Sequence, residues 1–202
     1  MDEKYIKPEM GRIWGEENKY QIWLEVEIAV LEAKAVLGLI PREIASEARA
    51  NARFQIAEIE AIDLAIDQEM VAFLRVVTSS LPPEIRPYLH QGLTTYDIWD
   101  PALTLQMKLS TELIKKLLRE LISLLREIAS AYQEALQIGR THGVHAEPIT
   151  FGLKILNWVD EMERHLEKLT ANEPNFLAGK ISGAVGTYSN IDPRIEEIVC
   201  QQ

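Results

Sequence analysis

Apolar residues recur at the spacing of an amphipathic α-helix along most of this chain. The clearest example predicts a helix from residue 16 to about 37, which Gly38 ends. Its apolar positions are three, four or one residue apart: Tyr20, Trp23, Leu24, Ile28, Leu31, Ala35 and Val36. This spacing is typical of an α-helix.

Three shorter helices are predicted next. Pro41 is expected in the first turn of a helix that reaches about residue 50, and isoleucines at 56, 59, 62 and 66 indicate a second. A third is predicted over 69–79, with its core face formed by Val71, Phe73, Leu74 and Val77. Prolines at 82, 83 and 87 then exclude regular helix. We predict that a small N-terminal helical domain covers residues 1–95.

Residues 96–202 form the second predicted domain, which is dominated by long helices. Asp100 is the expected N-cap and Pro101 the first residue of a helix that runs to about residue 136. Its apolar stripe is wider than one partner helix can cover, so we expect further sequence or partner subunits against it. Another long helix is predicted over 148–170, followed by a break at 172–175 and a short helix from Pro193. No strand is predicted, and the fold class is all-α.

Composition narrows the possible functions. The chain of 202 residues has a formal net charge of −10, which argues against a general nucleic-acid-binding protein. Cys200 is the only cysteine, so an intrachain disulfide is impossible and a reducing cytoplasm is expected. Neither a signal peptide nor a stretch of about 18 apolar residues is apparent, so we expect no membrane partner.

The best candidate for a site is the segment Gly-Arg-Thr-His-Gly-Val-His-Ala-Glu-Pro at 139–148, which contains two of the four histidines. Gly139, Gly143 and Pro148 are expected to keep it out of helix. A metal site is disfavoured, because His142 and His145 have no evident third ligand and no nearby cysteine. Acid–base chemistry is favoured over the alternative that both rings are only satisfied polar groups at a helix junction.

The glycine-rich segment 179–186, Gly-Lys-Ile-Ser-Gly-Ala-Val-Gly, fits neither a Walker loop nor a dinucleotide-binding turn. It predicts a tight turn between helices.

Several segments together resemble the N-terminal part of the adenylosuccinate lyase family, in the fumarase/aspartase superfamily. The longest is 139–152, ending Ile-Thr-Phe-Gly; the others are His-Gln-Gly-Leu-Thr-Thr-Tyr-Asp at 90–97 and the stretch 179–188. The opening Lys4-Tyr5 and the segment Trp23-Leu-Glu-Val-Glu27 also look similar. The resemblance covers essentially the whole chain and implies the first long helices of a fumarase/aspartase-type bundle.

The resemblance implies a β-elimination that breaks a C–N bond in adenylosuccinate or the related succinylcarboxamide ribotide and releases fumarate. His142 matches the general acid of the family. The residues expected to bind substrate are Lys4, Tyr5, His90, Thr94, Thr95, Asp97, Thr141 and His145. No cofactor and no metal are implied, and the expected partners are a nucleotide substrate and three further copies in a homotetramer. Without the resemblance, Thr94 and Asp97 could equally be a helix cap and its first turn.

The sequence also departs from the family. Gln68 occupies the position of a family histidine, Tyr96, Trp99 and Pro101 are bulkier or stiffer than usual, and Pro174 interrupts an expected helix. The catalytic serine loop of the family would lie beyond residue 202. We therefore expect this chain alone to be inactive. A non-catalytic assembly or regulatory module, and a lyase for another succinyl or aspartate adduct, remain open alternatives.

Overall fold

A computed structural model of the chain describes residues 3–201. It is built almost entirely from helices, as predicted, with one small antiparallel sheet. In chain order the elements are a 3-10 helix Glu3–Tyr5, α1 (Pro8–Trp14), α2 (Glu16–Val36), α3 (Arg42–Asn51), α4 (Ile56–Ile66), α5 (Glu69–Ser80), a 3-10 helix Arg86–Tyr88, α6 (Thr95–Ala131), β1 (Leu136–Thr141), β2 (Val144–Thr150), α7 (Phe151–Phe176) and α8 (Pro193–Cys200).

The chain divides into two compact units. The first comprises the chain up to Met107 together with the part from Leu177 onwards, and the second is Lys108–Phe176. Helix α6 contributes residues to both. The predicted domain boundary near residue 95 stays a prediction, since these units describe packing within this chain alone.

The core of the first unit is built around α2. Tyr20 and Trp23 of this helix contact Phe73 of α5, with ring centroids 5.9 and 5.4 Å apart. All three side chains are almost fully buried. Burying aromatic groups of this size contributes strongly to stability, so the predicted core role of Phe73 is confirmed. Val71, in contrast, was wrongly assigned to the core of α5, because it is 39% exposed.

Helix α2 is buried on more than one side, because its Val30 and Ala33 pack in a second cluster with Ile181. Val36, in contrast, is 71% exposed.

The second unit contains an antiparallel helix pair. Lys115 of α6 binds Glu173 of α7 with 2.8 Å between Nζ and Oε2, and Arg126 of α6 binds Glu163 of α7. The contacts run in opposite directions along the two helices, so α6 and α7, which the β1–β2 hairpin connects, are antiparallel. Apolar side chains of both helices remain substantially exposed in the chain: Ile114, Leu121, Leu124, Leu156 and Trp158.

The structure corrects both limits of α6 and both limits of α7. α6 begins at Thr95, so Pro101 lies inside the helix, and α6 ends at Ala131 rather than near residue 136. Helix α7 begins at Phe151 and continues through Pro174 to Phe176, so the break expected at 172–175 is absent. The limits of α2 and α5 agree with prediction to within one residue, the four isoleucines expected in a helix lie in α4, and α8 begins at Pro193 as expected.

The expectation of no strand was also wrong. The strands β1 and β2 form a hairpin with Leu136 opposite Thr150 and Thr141 opposite Val144. Pro148, expected to begin a helix, lies in β2 opposite Ile138. Gly139 lies at a register shift, and an added Cβ there would meet the carbonyl oxygen of Glu147 at 2.8 Å. Only glycine allows so close an approach of the two strands without rearrangement.

Candidate functional site

His90 is held by a carboxylate of α2. Its Nδ1 lies 2.5 Å from Oε1 of Glu27, and its backbone N–H donates to Oε2 of the same residue at 3.2 Å. The Glu27 side chain is fully buried, whereas the His90 side chain is 20% exposed. His90 adopts a left-handed backbone conformation with φ of 57°, which is uncommon for a residue with a side chain. Two contacts to one buried acceptor therefore stabilise an unusual turn.

The next peptide unit is held by a second charged group of α2. Nζ of the buried Lys34 donates to the carbonyl oxygen of Gln91 at 2.6 Å. Burial lowers the pKa of Lys34, because removal from water disfavours its charged form, and the negative charge of Glu27 acts in the opposite direction. A groove of about 580 Å³ opens beside this turn, with Lys34, Gln91 and Asn190 in its lining.

Thr94 and Asp97 form the cap at the start of α6. The Thr94 backbone N–H donates to Oδ2 of Asp97 at 2.8 Å, and the Asp97 N–H donates to the Thr94 carbonyl at 2.9 Å. An acidic side chain at the third helical position that accepts from the N-cap N–H satisfies a donor that the helix cannot. The cap interpretation of these two residues is therefore confirmed, and this cap explains why α6 begins before Pro101.

The other oxygen of Asp97 holds the glycine-rich loop. Oδ1 accepts from Lys180 Nζ at 2.7 Å and from the backbone N–H groups of Ser182 and Gly183 at 3.0 and 3.1 Å. Lys180 also donates to the Gly183 carbonyl at 2.5 Å. Because Asp97 is fully buried, direct contact with a substrate remains only a prediction for this residue. Its observed contacts join the 90–97 segment to the 180–183 loop.

Thr95 is the first residue of α6, and both Thr94 and Thr95 are half-buried. The neighbouring Tyr96 is 55% exposed, and its ring lies 5.5 Å from that of Trp99. Trp99 in turn lies 5.8 Å from Trp23. Tyr96 and Trp99, two of the bulky side chains that depart from the family motif, thus form an aromatic row with Trp23.

His142 lies at the tip of the β1–β2 hairpin. His142 and Gly143 have φ of 50° and 76°, the two positive values that a two-residue type I′ turn requires. Thr141 and His145 flank this turn, and all three predicted site residues of the hairpin are exposed. Within residues 3–201, neither imidazole takes part in a side-chain hydrogen bond or ion pair. The hairpin backbone alone sets the position of these side chains.

Lys4 and Tyr5 were expected to bind substrate, and Gln68 occupies the position of a family histidine. Lys4 and Tyr5 lie in the first 3-10 helix, with the Lys4 ammonium 4.9 Å from the centre of the Tyr5 ring and the Tyr5 side chain 78% exposed. Gln68 is the N-cap of α5, is exposed, and makes no side-chain cap hydrogen bond. It follows Asp67, which has a left-handed backbone with φ of 52°.

Apart from Lys4 and Tyr5 in the first 3-10 helix, the predicted site residues fall into two groups. The structure brings His90, Thr94, Thr95 and Asp97 into one continuous segment of the first unit, and it places Thr141, His142 and His145 on the hairpin of the second. Across the described range of residues 3–201, no group of three or more His, Cys, Asp or Glu side chains could hold a metal ion. Over the same range, no helix is both long enough and apolar enough to cross a membrane.

A family model described as "Lyase" matches residues 3–202 of the sequence. The chain belongs to this lyase family. The lyase chain is 46% identical over 202 residues to the adenylosuccinate lyase of Bacillus subtilis (strain 168) and 44% identical to that of Synechocystis sp. (strain PCC 6803). The adenylosuccinate lyase of Staphylococcus saprophyticus is 44% identical over 201 residues. Each similarity covers 100% of the lyase chain but only 46 to 47% of the relative.

Solved structures support the same fold. The crystal structure of fumarate lyase from Mesorhizobium sp. BNC1 has a TM-score of 0.90 and 26% sequence identity, covering 95% of the lyase chain and 47% of that protein. The 3-carboxy-cis,cis-muconate lactonizing enzyme from Pseudomonas putida has a TM-score of 0.90 at 24% identity, over 96% of the lyase chain and 46% of its own. The expected fumarase/aspartase-type helical fold is confirmed.

The sequence did not predict three contacts in the first unit: Glu27 with His90, Lys34 with the Gln91 carbonyl, and Lys180 with Asp97. One signal was available. Glu27 lies between Leu24 and Ile28 on the apolar face of α2, where a charged residue needs a buried partner.

Proposed function

We propose that this chain is the N-terminal part of an adenylosuccinate lyase. The proposed reaction is β-elimination of fumarate from adenylosuccinate, and from the related succinylcarboxamide ribotide. The observation that carries the proposal is the 44 to 46% identity to three adenylosuccinate lyases along the whole chain. Because the chain spans about half the length of these relatives, the activity belongs to the longer assembly.

The elimination needs an acid for the departing nitrogen, a base for the carbon proton, and donors for the negative charge that develops on the neighbouring carboxylate. We assign the acid to His142. Imidazole suits this role because its ordinary pKa lies near neutrality, so it can hold and release a proton under physiological conditions. Its exposed position at the hairpin tip leaves the ring accessible to a substrate.

The remaining roles concern binding. Thr94 and Thr95 offer hydroxyl groups to a carboxylate or phosphate, and Lys4 with Tyr5 offers a cation and a phenol to the nucleotide phosphate. A lysine keeps the positive charge but lacks the two-point geometry of an arginine. Thr141, His145 and His90 complete the set of groups that orient the substrate. Asp97 is assigned to holding the 180–183 loop, on the basis of its contacts.

The base and the remainder of the site would come from outside this chain. The family resemblance implies a serine loop beyond residue 202 and a homotetramer in which several subunits share each site. Exposed apolar groups on α6 and α7, such as Leu124 and Leu156, are suited to such subunit contacts. Location in the cytoplasm is part of the proposal and is supported by the lone Cys200.

The test is co-expression of this chain with the C-terminal half of a related lyase, followed by measurement of fumarate release from adenylosuccinate. We expect activity in the assembled halves and a loss of about 10²- to 10⁴-fold in His142→Ala. His165→Ala is the matched control, since His165 is an exposed histidine of α7 that pairs only loosely with Glu161, at 3.7 Å. Equal rates in His142→Ala and the control would contradict the assignment.

A second candidate function is a non-catalytic assembly or regulatory module, and the observation that favours it is Gln68. An amide cannot transfer protons as the family histidine does, and Gln68 lies exposed at the N-terminus of α5. Gln68→His should raise fumarate release if the site is functional. Background rates in wild type and Gln68→His, with the halves shown to be assembled, would favour the module.

A third candidate function is the same β-elimination on a different substrate. The similarity to a fumarate lyase at 26% identity favours another succinyl or aspartate adduct. The same assembled halves, assayed for fumarate release from a panel of such adducts, distinguish this candidate from adenylosuccinate cleavage.

A further inference from the structure

Glu27 is a fully buried carboxylate on α2, where all the other buried residues except Lys34 are hydrophobic. Its neighbours along α2, including Val26 and Ile28, are almost completely buried. Removing an ionised carboxylate from water is costly unless hydrogen bonds and an opposite charge compensate it. The contacts that compensate Glu27 therefore indicate what this side chain does.

Both oxygens of Glu27 contact His90. Oε1 lies 2.5 Å from the ring Nδ1, and Oε2 accepts the backbone N–H at 3.2 Å. The two contacts hold the ring and the main chain of one residue at once. Lys34, two helical turns along α2, holds the following carbonyl of Gln91 and so prevents the turn from rotating away. These contacts therefore fix both the backbone of the turn and the orientation of the His90 ring.

The short contact also determines where the imidazole proton lies. A neutral imidazole carries its proton on one nitrogen only, and the hydrogen bond made by one nitrogen fixes the state of the other. If Nδ1 were unprotonated beside an ionised Glu27, its lone pair would face a carboxylate oxygen at 2.5 Å with no proton between them. A proton on Nδ1 turns this repulsion into a charge-assisted hydrogen bond.

We infer that Glu27 is a positioning residue for His90: it keeps a proton on Nδ1 and directs Nε2 towards the bound substrate. The part of this inference that concerns substrate rests on the proposed function. The protonation of Nδ1 does not, because it follows from the contact between Glu27 and His90 alone. In this arrangement Nε2 accepts a hydrogen bond from a hydroxyl, or donates one to a carboxylate or phosphate when the ring is charged.

The experiment uses the 202-residue chain with ¹⁵N-labelled histidine. Long-range ¹H–¹⁵N correlation spectra distinguish protonated from unprotonated ring nitrogens, and four histidines give few enough signals to assign with His90→Asn. We expect Nδ1 of His90 to carry a proton in the wild type. In Glu27→Leu, which has no acceptor, we expect loss of this signature and a shift to the form protonated on Nε2.

Glu32→Leu is the matched control, since it makes the same substitution on the same helix at a residue that pairs with Arg49. His90 should keep its wild-type signature there. If Glu27→Leu does not fold, as judged by circular dichroism, Glu27→Gln replaces it, and we expect a partial shift because one amide oxygen must serve two donors.

An unchanged signature in the folded Glu27 variant, or a wild-type ring protonated on Nε2 alone, would overturn the inference. The measurement contains no substrate, so a failure of the proposed lyase activity would leave its result intact.

Discussion

The 90–97 segment and the 141–145 turn carry the same kinds of candidate site residues but are held in different ways. In the first, two buried carboxylates, Glu27 and Asp97, accept from the main chain and from side chains at distances of 2.5 to 3.2 Å. In the second, the hairpin ladder and its two left-handed residues fix the backbone, while Thr141, His142 and His145 are exposed.

This difference suggests different parts in the proposed reaction. Groups that orient a substrate gain from being held before binding, because ordering them later would cost binding free energy. The buried anchors of the 90–97 segment satisfy this requirement within the chain itself. The hairpin presents its histidines without comparable side-chain support, so we expect their final environment to be supplied by the longer protein or by other subunits.

The largest loss of folding stability is expected from removing the carboxylate of Asp97. Asp97→Ala leaves three backbone N–H groups without this acceptor, and it leaves the 31% exposed Lys180 with only the Gly183 carbonyl. Each buried donor left unsatisfied typically costs about 1 to 3 kcal/mol. Urea unfolding measures the loss. Asp100→Ala, an exposed aspartate on the same helix, is the control and should change stability by less than about 0.5 kcal/mol. Similar losses in both variants would show that Asp97 is not an anchor.

A smaller loss of folding stability is expected at the hairpin tip, where a substitution changes only the strain of the backbone. Gly143 has φ of 76°, and nothing lies within 4 Å of an added Cβ. Gly143→Val should therefore destabilise the chain by about 1 to 2 kcal/mol through backbone strain alone. Gly143→Asn should cost less, since asparagine tolerates the left-handed region better. Thermal unfolding compares the two, and equal losses would contradict the type I′ turn.

The smallest expected effect is the contribution of Lys34 to the pH dependence of folding stability. Burial lowers the pKa of Lys34 below its ordinary value of 10.5, so over the window between the two values the unfolded chain binds the proton more readily than the folded chain. Stability should therefore rise with pH across this window relative to Lys34→Met, which cannot titrate. Urea unfolding at several alkaline pH values gives the difference. A difference that falls as pH approaches 10.5 would contradict the burial of a charged Lys34.

Much of the fold could be predicted because apolar residues recur at helical spacing between clear breaks. The limits of α2 were predicted to within one residue, with Gly38 marking the end of its apolar repeat. The start of α6 was misplaced because Pro101 resembles a first helical residue, whereas the cap formed by Thr94 and Asp97 begins the helix six residues earlier. Proline favours the first turn of a helix, but the start of α6 is set instead by the cap in which Asp97 accepts the backbone N–H of Thr94.

The hairpin was missed for a different reason. Its strands are short, and the shift at Gly139 interrupts the alternation of apolar and polar residues that identifies a strand. Its turn is His-Gly rather than the more usual Asn-Gly or Asp-Gly. The motif itself was recognisable from residue identity, but the contacts of Glu27 and Lys180 join positions 63 and 83 residues apart and depend on tertiary packing.

Buried carboxylates hold the loops of the first unit in place in the free chain, before any substrate binds, and amide hydrogen exchange tests this most directly. The N–H groups of His90, Ser182 and Gly183, which donate to Glu27 or Asp97, should exchange slowly in the free chain. In Asp97→Ala, Ser182 and Gly183 should lose this protection while His90 keeps it. Exchange at unprotected rates in the wild type, or equal protection of Ser182 and Gly183 in both proteins, would contradict the claim.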